Sequence, residues 1–207
     1  MPTTVNLVPL FAKLSGAAAA RVNASLTVVT ADKGTELVRE EERADAVYFI
    51  LSGFAKVVRG SGARRYAIAV LGPGDIFGEL GAITGQSRNA TVLALSSCTV
   101  ARLERTTFLE ILDTEPSIQL FLLRYLAQRI IDADQQIELF RGEVVPRLKF
   151  WLARLKERGL NAPIALTNAE IARLAGTSRE GVSRTVSRLR RGTAASASAA
   201  PVSPDSD

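Results

Sequence analysis

Between Leu103 and Leu123 the hydrophobic pattern of this chain changes period, and that change limits its possible folds more than any other feature. From Leu26 to Leu103 the apolar residues come in short alternating runs, LTVVTADKGTELV, AVYFILSGFAKVVRG, RRYAIAVLGPGDIFG and NATVLALSSCTVARL, each closed by Gly, Pro, Asp or Ser. These predict an all-β unit of about eight strands. VRGSGARR, residues 58–65, reads as a hairpin tip because its two glycines permit the positive φ such turns need. FAKLSGAAAARVN, ahead of the strands, reads as a short amphipathic helix. After Thr106 the period becomes three and four: Leu123, Leu126, Ile130, Ala133, Ile137 and Phe140 form a heptad seam, with Pro116 suited to a first helical turn. Ile118, Phe121, Leu122 and Tyr125 give the same helix a second apolar face that can cover the β unit. A helix apolar on two sides needs two partners. A second copy of the chain is the expected partner for the seam; burial of both faces within one chain is the alternative.

The charge is as uneven as the period. Glu143 to Gly192 holds eleven basic and four acidic residues, whereas the rest of the chain holds fifteen and seventeen, so the net +5 belongs to one segment. Such a segment suits nucleic acid. It predicts a helix from about Val144 to Arg158 with Phe150, Trp151 and Leu155 in its core, a stop at Gly159, and a short strand PIAL at 163–166. In LTNAEIARLAGTSREGVSRTVSRLRR, Thr167 with Glu170 and Thr177 with Glu180 fit the T-x-x-E capping box and would start two short helices. Ile171 and Leu174 would face inward from the first, and Val182, Val186 and Leu189 from the second, making a helix-turn-helix. GTAASASAAPVSPDSD has too little apolar surface to fold and reads as a disordered tail.

With one cysteine and no histidine, the sequence argues against a disulfide framework, a Cys/His metal site, histidine-ligated haem, an iron-sulfur cluster and a Ser-His-Asp nucleophile. No paired acid and base appears either, so an enzyme is not expected. Cys98 lies in an alternating apolar run and reads as a buried strand residue. No run approaches the roughly 18 apolar residues of a membrane span, and the N-terminus lacks a signal-peptide pattern, so a cytoplasmic location and no membrane partner are expected.

The chemistry concentrates in GDIFGELGAITGQSRNATV, Gly74 to Val92. Arg88, Asn89 and loop N–H groups suit an anion, while Glu79 suits a sugar hydroxyl, and phosphate with ribose makes a nucleotide. The alternative is that Glu79 and Arg88 pair with each other across a loop.

The order of β unit, seam helix and basic helix-turn-helix resembles the Crp/Fnr family of bacterial transcription regulators, from about Leu10 to Arg191. FGELGAITGQSRNATV resembles the phosphate-binding cassette of cyclic-nucleotide-binding domains, and LTNAEIARLAGTSREGVSRTVSRL is similar to the family's DNA-reading helix pair. The resemblance implies an α+β fold: a jelly-roll-like β-roll domain at 1–113, a dimerisation helix at 114–142 pairing through 117–141, and a helix-turn-helix domain at 143–192, with a tail at 193–207. It implies a cyclic nucleotide, cAMP or cGMP, as effector. Gly78 and Glu79 would hold a ribose hydroxyl, Leu80 would line the pocket, and Arg88 with Asn89 would bind the phosphate. Asp134, at a position where cAMP-binding members carry a hydroxyl residue, would accept from the base or stay an exposed carboxylate. For double-stranded DNA, Arg179, Glu180, Ser183 and Arg184 would face base edges and Arg188 a phosphate. RNA polymerase is a partner by the same resemblance. Where the family has a β-hairpin wing, Gly192 here leads into the Ala/Ser tail, so a truncated wing is expected. Two other readings stand beside the regulator: a nucleotide-binding dimerisation module with a weakened DNA-binding domain, and a family regulator that needs no ligand.

Overall fold

The computed structural model describes residues 8–11, 14, 16–60, 65–140, 144–157 and 168–187. Eight strands form, as the alternation predicts: β1 Thr27–Ala31, β2 Glu36–Val38, β3 Ala46–Ser52, β4 Ala55–Arg59, β5 Tyr66–Leu71, β6 Ile76–Phe77, β7 Thr91–Ala94 and β8 Cys98–Glu104. They make two four-stranded sheets, ordered β1-β8-β3-β6 and β2-β7-β4-β5, with every pairing antiparallel. Side chains alternate across each strand, so the facing surfaces of the two sheets enclose Ile50, Ala55, Phe77, Val92, Cys98 and Val100. Cys98 is buried there as a strand residue.

The helices among the described residues are α1 Gly16–Ser25, α2 Glu79–Thr84, α3 Arg105–Thr114, α4 Pro116–Phe140, α5 Val144–Glu157 and α6 Asn168–Ala175. A further helix, α7, covers residues 179–187. The predicted N-terminal helix begins only at Gly16, after a separate 3-10 turn at Pro9–Phe11. Pro116 opens α4, where its missing N–H removes no helical bond. The helix then uses both apolar faces differently. Ile118 and Leu122 are buried with Phe11, Phe49, Leu103 and Phe108 on the outer face of the β1 sheet, and Phe121 and Tyr125 pack against that cluster. The seam residues Leu123, Ile130 and Ile137 remain 65%, 63% and 57% exposed.

A third apolar cluster joins the two halves of the chain. Val58, Ala67 and Val70 of β4 and β5 pack with Leu148 and Trp151 of α5, Ile171 of α6 and Val182 of α7. The core positions expected of Phe150, Trp151, Ile171, Val182 and Val186 hold, with Trp151, Ile171 and Val182 buried and the other two half-buried. The expected hairpin tip at 61–64, the strand at 163–166, the Thr167–Glu170 capping box, Arg188, Leu189 and the tail lie outside the described residues, as do the side chains of Phe140, Leu155 and Leu174. Among the described residues no helix is long and apolar enough to cross a membrane, and no group of three or more metal-ligating side chains assembles.

Phe49 is fully buried and meets Phe11 edge-on at 4.9 Å between ring centroids. Phe49→Ala removes that contact and leaves a cavity, so it is expected to cost about 3–5 kcal/mol in a urea unfolding measurement.

Candidate functional site

The Gly74–Val92 segment is less of a loop than its glycines suggest. After β6 the chain turns at Gly78, whose φ of +81° is left-handed, and Glu79 opens the six-residue helix α2, which Gly85 closes at φ +75°. A side chain at Gly78 would meet a second obstacle besides strain, because an added Cβ would collide with the Arg88 guanidinium. Glycine is therefore required twice over at this position.

Arg88 is 4% exposed. Its Nη1 donates to the Gly78 carbonyl at 2.9 Å and its Nη2 to the Ala46 carbonyl at 2.7 Å, and Asp45 stands 3.6 Å from Nη2. The guanidinium also lies 5.6 Å from the centroid of the Tyr48 ring, which itself stacks on Phe77. Burial pulls the Arg88 pKa below the ordinary arginine value, opposed by Tyr48 and Asp45. Arg88 thus pins the cassette to the start of β3. A guanidinium carries five N–H donors, so the two carbonyl bonds leave donors for an anion.

Glu79 is buried to 2% exposure, and its partner is not Arg88. Arg129 of α4 donates from Nη1 to its Oε1 at 3.0 Å. Desolvation raises the Glu79 pKa above the ordinary carboxylate value, while the Arg129 charge and the N–H groups of Glu79 and Leu80 oppose the rise. One helical turn earlier, the Tyr125 hydroxyl donates to the Ile76 carbonyl at 3.1 Å and accepts from the Ile76 N–H at 3.2 Å. Tyr125 and Arg129, four residues apart on one face of α4, therefore hold both sides of the Gly78 turn. Sequence reasoning placed Tyr125 in an apolar stripe and missed Arg129. The available signal was an arginine extending the 118, 122, 125 spacing by four.

The remaining site residues fall in different places. Asn89 is exposed and lines, with Arg88, Ser87 and Glu41, an open cavity of about 420 Å³. Leu80 is 38% exposed. A second cavity, about 540 Å³, lies between β5 and α4 and is lined by Ile68, Ala69, Tyr125, Arg129, Asp132 and Ala133, among others. Asp134 is exposed and does not line it. Gly78 thus brings Glu79 and Arg88 together, while Asp134 stays apart from them within one chain.

In the basic half, α6 and α7 make the expected pair around Gly176, which has φ +58°. The cap of α7 differs from the Thr177–Glu180 box. Ser178 is the capping residue, its Oγ accepting from the Gly181 N–H at 3.0 Å, and the first helical bond runs from Val182 N to Ser178 O. Thr177 Oγ1 instead sits 2.7 Å from where a Cβ on Gly181 would stand, so glycine inside this helix makes room for its own start. Arg179, Glu180, Ser183 and Arg184 are all exposed, opposite the buried Val182.

Residues 28–115 match the family model of the cyclic nucleotide-binding domain and residues 146–196 that of the Crp-like helix-turn-helix domain. The chain is 30% identical over 159 residues to the cyclic AMP receptor protein of Thermus thermophilus, covering 76% of this chain and 74% of that one. It belongs to the Crp/Fnr family. A second Crp/Fnr relative, the CRP-like cAMP-activated global transcriptional regulator of Mycobacterium tuberculosis, is 28% identical over 184 residues, 84% of this chain and 82% of its own. The FixK2 structure from Bradyrhizobium japonicum shares the fold with a TM-score of 0.73 at 22% identity, over 81% of this chain and 86% of that one. The expected α+β architecture of this Crp/Fnr regulator is thereby met, and its relatives are transcription regulators rather than enzymes.

Two outcomes test this geometry. Arg88→Leu leaves the Gly78 and Ala46 carbonyls without their donors, so it is expected to lower unfolding stability by about 1–3 kcal/mol in urea even without ligand. For Glu79, a folded pKa above the unfolded one means the native state holds this proton more tightly. Its favourable contribution is fully present below the ordinary carboxylate range and is lost as pH rises through the raised value. Glu79→Gln should flatten that loss, seen as a smaller change in urea midpoint than the unsubstituted protein shows between about pH 4 and pH 7.

Proposed function

We propose that this Crp/Fnr regulator responds to a cyclic nucleotide, cAMP or cGMP, and acts as a homodimer on an inverted-repeat DNA site. The observation that carries the reading is the Arg129–Glu79 pair. It ties the cassette to α4, whose opposite side exposes Leu123, Ile130 and Ile137. A ligand whose hydroxyl competes for Glu79, and whose phosphate takes the spare donors of Arg88 and Asn89, acts on the pair that positions α4. Gly78 and Leu80 frame the same turn. A ligand shifts α4 only if it binds the two settings of that pair unequally.

The exposed apolar seam supports a second copy of the chain as partner, since three large aliphatic residues at heptad spacing on one helix would otherwise face water. Asp134 flanks that seam between Ile130 and Ile137, so it reaches a bound base from the second copy. There a carboxylate accepts more readily from guanine, with N1–H and N2–H together, than from the single amino group of adenine. The relatives named for cyclic AMP favour the adenine nucleotide instead. Two α7 helices in such a dimer would present Arg179, Glu180, Ser183 and Arg184 to half-sites about one DNA turn apart, with Arg188 on a phosphate. RNA polymerase contact and a cytoplasmic location follow from the same family reading.

Calorimetric titration with cAMP and cGMP, followed by electrophoretic shifts on inverted repeats, tests the proposal. A measurable affinity for one nucleotide and a ligand-dependent specific complex are expected; absence of both overturns it, and nucleotide binding without any specific complex leaves a dimerising nucleotide-binding module. Ile130→Glu should convert dimer to monomer in sedimentation velocity and weaken the DNA complex at least tenfold, because two carboxylates would meet across the seam.

A further inference from the structure

The cavity between β5 and α4 has a third wall that belongs to the DNA-binding half. Along α4 its lining runs from Tyr125 and Arg129 through Asp132 and Ala133 to Gln136 and Ile137, and Trp151 of α5 completes it. At 1.5 Å rise per residue, Arg129 and Ile137 are about 12 Å apart along the helix axis. The two ends differ chemically. One carries the Arg129 guanidinium, bonded to Glu79; the other offers the aliphatic Ile137, and the Trp151 indole belongs to the same lining. A volume of about 540 Å³ lies within the usual range of small-molecule sites, so an occupant fits with Trp151 where it stands.

Trp151 is also a central member of the cluster that seats α5, α6 and α7 on β4 and β5. It is 3% exposed and packs there with Val58, Val70, Ile171 and Val182. The same residue therefore lines the cavity and holds α5, α6 and α7 against β4 and β5.

We infer that Trp151 forms the base-recognising end of the effector cavity, so that a bound cyclic nucleotide touches the DNA-binding half directly and stabilises its seating on β4 and β5. The inference rests on the cyclic-nucleotide reading and extends it with a specificity residue outside the cyclic-nucleotide-binding domain. Aromatic faces recognise bases by stacking, and adenine and guanine differ in the groups they bring to such a contact. Because occupant and seating share one residue, each strengthens the other by the same factor.

Trp151 is the chain's single tryptophan, which gives a readout that needs no substitution. Full-length protein is titrated with cAMP and with cGMP, following indole emission excited at its red edge, where nucleotides are transparent, and intermolecular nuclear Overhauser contacts between the indole and base protons. A saturating emission change at the calorimetric affinity, together with such contacts, is expected. Trp151→Phe, which keeps an aromatic ring and the fold, should change the cAMP to cGMP affinity ratio at least threefold; a purely structural tryptophan would leave that ratio fixed. Nucleotide binding with neither an indole–base contact nor an altered ratio overturns this inference while the effector reading stands. Absence of any nucleotide binding overturns both.

Discussion

A carboxylate at 2% exposure cannot remain in a protein interior without a partner, and the partner of Glu79 comes from a helix fifty residues further along the chain. This requirement fixes how α4 lies on the β-roll. Arg129 must reach the Gly78 turn, which places Tyr125 over β6 one helical turn earlier, and Ile118 and Leu122 over the β1 sheet before that. The apolar and ionic contacts of α4 therefore share one helical face, and the seam is whatever that face leaves outward. Arg88 supplies the complementary restraint from below by holding the Gly78 carbonyl to β3. The turn is gripped from two sides by two cations, and only one of them pairs with Glu79.

Much of this architecture was legible because it rests on periodicity. Alternation marked the eight strands, Pro116 marked the start of α4, and the spacings at 118–125 and 123–137 distinguished its core-facing residues from the exposed Leu123, Ile130 and Ile137, although Leu126 of the same seam packs on the β-roll cluster. Local chemistry was less legible where two residues could serve one purpose. In GTSRE both Thr177 and Ser178 can cap; the three-residue spacing to Glu180 favoured Thr177, but the Gly181 N–H reaches Ser178 because the helix starts one residue later. The Gly-rich cassette read as a loop, although Glu79–Thr84 needs only two left-handed glycines at its ends to be helical.

Long-range pairings could not be read at all. A local Glu79–Arg88 pair was the alternative to ligand binding, yet each residue has a partner set by the three-dimensional path: Arg129 for one, backbone carbonyls for the other. The seating of α5, α6 and α7 on β4 and β5 was equally hidden, since Val58, Ala67 and Val70 look like ordinary strand residues. Their outward side is what gives the helix pair a sheet to pack on. The exposed residues of α7 point the other way, so this seating leaves Arg179, Ser183 and Arg184 open to solvent.

The two hydrogen bonds of the Tyr125 hydroxyl to Ile76 bear on the behaviour of the protein at high concentration. β6 is only two residues long and ends its sheet, and a terminal strand normally offers its free N–H and C=O to any extended segment that drifts alongside. One phenol oxygen occupies both groups of Ile76 at once. That border of the roll is thereby closed to strand-by-strand addition, and its protection against aggregation depends on a side chain contributed by α4.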